Sequence, residues 1–163
     1  LSLLRHWSSL FSTYLLPLGT LYLVGAVGEE IGWRGFALPR LQQRYGPLRG
    51  SLLLGILWAG WHLPGYVTPA GSFSFASVVL NGLFITLLTM IITWIFNGTQ
   101  GSILIVILFH AAANANRVFI STIVPIFPPL SSLIALVLIL GCFVLILVGT
   151  KGRLAYQADC GIF

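Results

Sequence analysis

The chain has 163 residues, 58% of them hydrophobic and 7% charged, with a mean hydropathy of +1.01. Soluble domains carry about a quarter charged residues, so this chain cannot coat a globule with polar surface, and the lipid bilayer is the solvent its composition suits. Its net charge of +5 comes from basic residues too sparse and too interleaved with apolar runs to make a nucleic-acid surface, and its two cysteines have no CxxC or metal-ligand spacing.

Three stretches contain no Asp, Glu, Lys or Arg: residues 6–28, 50–116 and 118–150. A membrane-crossing helix needs about 20 residues, so these runs predict one, three and one spans. Turn signals from Pro64 to Ser72 and from Asn97-Gly98 to Gly101 divide the middle run. They place helices near 8–27, 51–68, 76–96, 102–120 and 132–150, with Pro125, Pro128 and Pro129 breaking the chain between the last two. The expected fold class is all-α, a polytopic transmembrane helix bundle of about five spans, forming one membrane-embedded domain over residues 1–163. Residue 1 is leucine, which points to a trimmed fragment. The triplet Ala26-Val27-Gly28 has the outline of a signal-peptidase site, but the apolar run before it is too long for a signal core.

Between the first two spans, GEEIGWRGFALPRLQQRYGPLRG carries Arg40, Arg44 and Arg49, with Gly46-Pro47 as a break. With five spans, Arg40, Arg44, Arg49, Lys151 and Arg153 fall on one side, and Arg5 on the other with Arg117 nearer to it. The positive-inside rule makes the first side cytoplasmic, together with the carboxyl terminus. Arg117 then reads as a side chain snorkelling to the far interface, a grip on a substrate carboxylate being the alternative. The sequon Asn97-Gly98-Thr99 also faces the cytoplasm, so its match to a glycosylation signal is accidental. The final Cys160-Gly161-Ile162-Phe163 has the outline of a prenylation box, but Gly161 is a poor aliphatic position.

Ionisable groups inside spans cost roughly 2.5–3.5 kcal/mol each and are functional candidates by default. Here they are Glu29, Glu30, Arg34, His62, His110 and Arg117, with Asn114 and Asn116 as uncharged companions. On a helix, Glu30 and Arg34 are four residues apart in the favourable order for an ion pair. Glu29 lies about 100° round from Glu30 and is the less neutralised carboxylate. The bland alternative, interfacial snorkelling, suits Arg34 but not two short carboxylates. Trp58 and His62 share a second helical face, and His110 and Asn114 a third, where neighbouring alanines permit close helix approach. At 1.5 Å per residue, His62 lies about 16 Å from the start of its span and His110 about 12 Å from the start of its own. The three clusters can therefore meet at one depth, in the cytoplasmic half of the membrane.

Such a set supports two amide hydrolyses. In one, Glu29 and His62 activate a water as general base while His110 and Asn114 donate hydrogen bonds to the developing oxyanion. In the other, Glu29, His62 and His110 bind zinc and Glu30 is the base. The HExxH helix of familiar zinc proteases is absent from the sequence.

In this order, EExxxR (Glu29, Glu30, Arg34), an aromatic four residues before histidine (Trp58, His62) and HxxxN (His110, Asn114), with Gly101-Ser102-Ile103 ahead of the last, resemble the CAAX protease and bacteriocin-processing (CPBP) family of intramembrane proteases. That family includes the type II CAAX prenyl endopeptidases, and the resemblance covers about residues 20–116. It implies a helical membrane protein with the site in a conical cavity and a glutamate-dependent endopeptidase activity. By it, Glu29 and His62 are the water-activating pair and His110 and Asn114 complete the catalytic set. Glu30 and Arg34 take supporting roles, and Trp58 lines the cavity where phenylalanine is common. No cofactor is favoured, zinc on Glu29, His62 and His110 being the alternative. The implied partners are the bilayer and a membrane-associated, in some cases prenylated, peptide, with no nucleic acid. The implied location is an integral membrane protein whose site opens to the cytoplasm. Two other classes compete: a non-catalytic bacteriocin immunity or partner-binding protein using the same pocket, and a transporter with a proton or metal relay.

Overall fold

The computed structural model describes residues 11–66, 74–123 and 128–157, and these are helical with no strand among them. The chain begins with π-helical turns Phe11–Leu15 and Leu18–Tyr22 and continues into α1 (Leu23–Gly32). A further π-helical turn, Trp33–Ala37, joins α1 to α2 (Leu38–Tyr45). Then come α3 (Pro47–Trp61), a short 3₁₀ turn Leu63–Tyr66, α4 (Phe75–Gly98), α5 (Ile103–Ile123) and α6 (Pro128–Gly149).

The first expected span is therefore the start of a longer helical rod that runs to Tyr45. Gly46, at φ +78°, ends it, a conformation that glycine adopts without Cβ strain. Pro47 then opens α3 at a position where its missing N–H costs nothing. The second expected span stops at Trp61 rather than at 68, because Pro64 cannot donate to a helical carbonyl and disfavours the α conformation before it. The third and fourth come close to expectation. The fifth starts at Pro128, and Pro125 lies outside the described residues.

Two glycines set the packing of α3. A Cβ on Gly50 would come within 2.8 Å of the Leu41 carbonyl, so α2 and α3 touch backbone to side. One on Gly55 would lie 3.0 Å from the Thr86 Cα, and Gly82 of α4 faces Ala59. The pairs 55 with 86 and 59 with 82 make α3 and α4 antiparallel. Small residues at helix crossings allow this approach. Helix α1 runs antiparallel to α5, with Ala26, Ile107 and Ala111 buried between them. Helix α4 also packs on α6, and the main apolar core joins Leu38, Leu54, Trp58, Ile92, Val106 and Ile139.

These directions bring the α2–α3 turn, the end of α4 and the segment after α6 to one end of the bundle. The Asn97 amide donates to the Leu154 carbonyl at 2.9 Å, which ties α4 to that segment and gives the sequon asparagine a structural role. Arg40, Arg44, Arg49, Lys151 and Arg153 are all exposed at this end. Arg5 and Cys160–Phe163 lie outside the described residues, as does the side chain of Arg117.

Polarity runs inside out. Glu30, Arg34, Thr89, Thr93 and His110 are buried, while Val24, Leu145 and Val148 are 70%, 74% and 72% exposed. Among the described residues, Phe75–Gly98 is the one helix both long and apolar enough to cross a membrane, and shorter apolar stretches cover Ile103–Asn116 and Leu133–Gly149.

Candidate active site

The last turn of α1 carries both glutamates, and the π-helical turn that follows carries Arg34. The Trp33 N–H is shared between the carbonyls of Glu29 and Glu30, and the Leu38 N–H reaches back five residues to Trp33. Single wide turns of this kind occur often at functional sites, because they re-aim side chains without ending the helix. The Arg34 Nη1 donates to Glu30 Oε1 at 2.9 Å, with both side chains wholly buried. Spacing predicts this pair, and the structure contains it.

Helix α5 brings a second donor to the same oxygen. His110 Nδ1 lies 2.7 Å from Glu30 Oε1. Since that oxygen already accepts from Arg34, the natural assignment is Nδ1–H donating, with Nε2 as the remaining ring nitrogen. Glu30 is therefore the joint between α1 and α5, a wider role than the brace for Arg34 that spacing alone predicts. His110 sits against the second glutamate rather than the first.

Glu29 finds a different partner. The Trp58 Nε1–H of α3 donates to Glu29 Oε2 at 2.5 Å, which leaves Oε1 as the second carboxylate oxygen. Trp58 is almost wholly buried, and the Arg34 guanidinium lies 4.6 Å from the centre of its ring. The His110 and His62 rings meet it edge-on, with centroids at 5.1 and 5.7 Å.

His62 is held by the way α3 ends. Its own N–H bonds back to Ala59 and Gly60, so the Trp58 carbonyl receives no amide from four residues on. The His62 Nδ1 occupies that place at 2.8 Å. A carbonyl can only accept, so Nδ1 carries the proton and Nε2 keeps its lone pair. The sequence WHLP thus makes a helix end, a capped carbonyl and a tautomer together. Trp61 packs edge-on against Trp33 at 6.5 Å, which fixes this end of α3 on the rod.

Asn114 stands one turn beyond His110 on α5, half-buried. The expected residues thus form two linked groups, Glu30–Arg34–His110 and Glu29–Trp58–His62, joined through the Trp58 ring. Among the described residues, no three His, Cys, Asp or Glu side chains are grouped so as to hold a metal ion. Sequence reasoning gave Trp58 only a lining role. The signal that could have promoted it is that a buried indole N–H needs an acceptor.

A family model for type II CAAX prenyl endopeptidase Rce1-like proteins matches residues 11–116. The chain belongs to that family. Glu29, Glu30, Arg34, Trp58, His62, His110 and Asn114 all lie within the matched segment. The chain is also similar to a protein called CAAX prenyl protease 2 from Methanococcus maripaludis, 39% identical over 113 residues, which cover 66% of this chain and 42% of the relative. The matched segment thus spans less than half the length of that curated relative. No solved structure matches it.

Proposed function

We propose that this chain carries the catalytic helices of an intramembrane endopeptidase that hydrolyses a peptide bond of a membrane-associated peptide. The observation that carries this reading is the meeting of Glu29, Glu30, Arg34, Trp58, His62 and His110, from three separate helices, inside a body whose outer surface is apolar. Polar groups gathered inside such a body are costly without a use. The name of the Methanococcus maripaludis relative, CAAX prenyl protease 2, adds a substrate class: a CAAX motif is a carboxyl-terminal one whose cysteine is prenylated.

In the proposed reaction, water sits between Glu29 Oε1 and His62 Nε2. One of these bases takes a proton as the oxygen attacks the scissile carbonyl carbon. The tetrahedral oxyanion accepts hydrogen bonds from the Asn114 amide and from Nε2 of a doubly protonated His110, whose other N–H is held by Glu30. Collapse breaks the C–N bond, and the proton taken from water passes to the departing amine. Fixed donors in a dry site are worth several kcal/mol to such a transition state. We propose no metal in this scheme.

The same proposal sets the protein across the bilayer as a polytopic bundle with its basic end cytoplasmic. Exposed aliphatic side chains on α1, α5 and α6 support the embedding, and the gathering of Arg40, Arg44, Arg49, Lys151 and Arg153 supports the orientation. The deciding experiment measures cleavage of prenylated and unprenylated reporter peptides in lipid nanodiscs. Glu29→Gln and His62→Ala should each lower kcat/KM by about 10²–10⁴-fold, the usual worth of a general base. If both variants cut as fast as the parent, the glutamate–histidine reading is wrong. Equal rates on both peptides would reject the prenyl group as a determinant.

A further inference from the structure

Trp58 touches every charged or titratable side chain of the site except Glu30. Its N–H holds Glu29 and its carbonyl holds His62 Nδ1, while its ring lies under Arg34 and beside His110. Glu29 and His62 come from different helices, α1 and α3, and this one residue is bonded to both. We propose that Trp58 is a positioning residue for catalysis: its indole N–H fixes one oxygen of Glu29 so that the other is presented to the water, and its carbonyl fixes His62 with the Nε2 lone pair free. This rests on the endopeptidase reading above.

The physical case is one of rotamers and donors. An unbonded glutamate in this half-buried place could turn about three side-chain torsions. The short N–H···O contact removes that freedom at the terminal carboxylate, where a misaligned base loses rate rather than binding. A carboxylate bonded through one oxygen also keeps its second oxygen as an acceptor. Arg34 flanks the ring from the π-helical turn after α1, and His110 from α5. Any movement of the indole therefore reaches the whole set.

A purely structural role would be met by any ring of the same size, so the test removes the N–H, once with a smaller ring and once with a ring of the same size. Trp58→Phe, and replacement of Trp58 by benzothienylalanine, whose sulfur stands where the N–H was, are assayed in nanodiscs on the reporter peptide. We expect kcat to fall roughly ten- to a hundredfold, as for one lost hydrogen bond to a charged group, with KM and the unfolding temperature of the benzothienylalanine protein little changed. Proton–nitrogen spectra give a readout independent of turnover. One of the five indole N–H resonances should vanish in Trp58→Phe, and that same resonance should move upfield in Glu29→Gln. An unchanged kcat in the sulfur isostere, or an indole resonance that Glu29→Gln leaves in place, overturns the proposal. Glu29→Gln also separates the two readings. If it abolishes cleavage while the isostere stays fully active, only the positioning role falls. If Glu29→Gln cuts as fast as the parent, the glutamate-base reading falls and the positioning role falls with it; if the parent itself cuts neither peptide, the endopeptidase reading falls.

Discussion

Replacing Arg34 by methionine tests the buried network most sharply. Both Arg34 and Glu30 are 0% exposed, and one carboxylate oxygen, Glu30 Oε1, receives Arg34 Nη1 at 2.9 Å and His110 Nδ1 at 2.7 Å. Removing the guanidinium leaves a carboxylate with a single partner in a site closed to water. Breaking a buried pair from one side costs about 3–5 kcal/mol. If the two residues were instead interfacial and snorkelling, the loss would be about 0–1 kcal/mol. For a chain of this size each kcal/mol moves the unfolding temperature by roughly 2–4 °C, so the two cases differ by about 10 °C against a few degrees at most. Thermal unfolding in nanodiscs, followed by circular dichroism, reads the difference. The double variant Glu30→Met with Arg34→Met sharpens it, because apolar replacement of a whole buried pair is often neutral or stabilising. It should recover at least half of the stability lost in Arg34→Met, His110 being then short of one acceptor. A fall of under about 2 °C in Arg34→Met would refute the reasoning. So would a double variant no more stable than Arg34→Met alone.

Other outcomes follow from particular contacts. Gly50→Ala should cost about 1–3 kcal/mol, because its Cβ would meet the Leu41 carbonyl and the Gln42 amide, at 2.8 to 2.9 Å, which are backbone and cannot yield; an unchanged unfolding temperature would mean that α2 and α3 are not so close. Asn97→Ala should lose only about 1 kcal/mol of stability but release the segment around Leu154, and trypsin should then cut faster at Lys151 and Arg153. Cleavage by the purified protein should be unaffected by phenanthroline. Loss of activity on chelation, with recovery on adding stoichiometric zinc, would overturn the metal-free scheme.

What the sequence made legible, and what it hid, divides along one physical line. Contacts within a helix follow from spacing. Glu30 with Arg34 is the case in point, and Trp58 with His62 is another, although the atom that His62 meets is a backbone carbonyl freed by the helix end. Contacts between helices do not follow from spacing, since periodicity says which residues share a face and not which faces meet. Here that choice is made by Gly50 and Gly55, which admit α2 and α4 against α3, and by Ala26 and Ala111, which let α1 approach α5. Residue counts along the helices bring the three motifs to one level, but they do not decide whether His110 reaches Glu30 or Glu29.

The Trp58–Glu29 bond lay nearer to reach than it first seemed. A buried indole must place its N–H, and this chain has only three acidic residues, two of them adjacent. A carboxylate at 29 or 30 was therefore a leading acceptor for a tryptophan expected at the same depth. The choice between them rests on occupancy. Glu30 Oε1 is taken by Arg34 and His110, and the Arg34 guanidinium stacks on the face of the indole. With Glu30 so engaged, the ring edge that carries Nε1 is left for Glu29. The arginine that neutralises one glutamate thus also steers the tryptophan to the other. For that reason Arg34 variants should disturb the indole resonance of Trp58 even though the two side chains share no hydrogen bond. A Trp58 resonance identical in Arg34→Met and the parent would sever that link and leave the two glutamates independent.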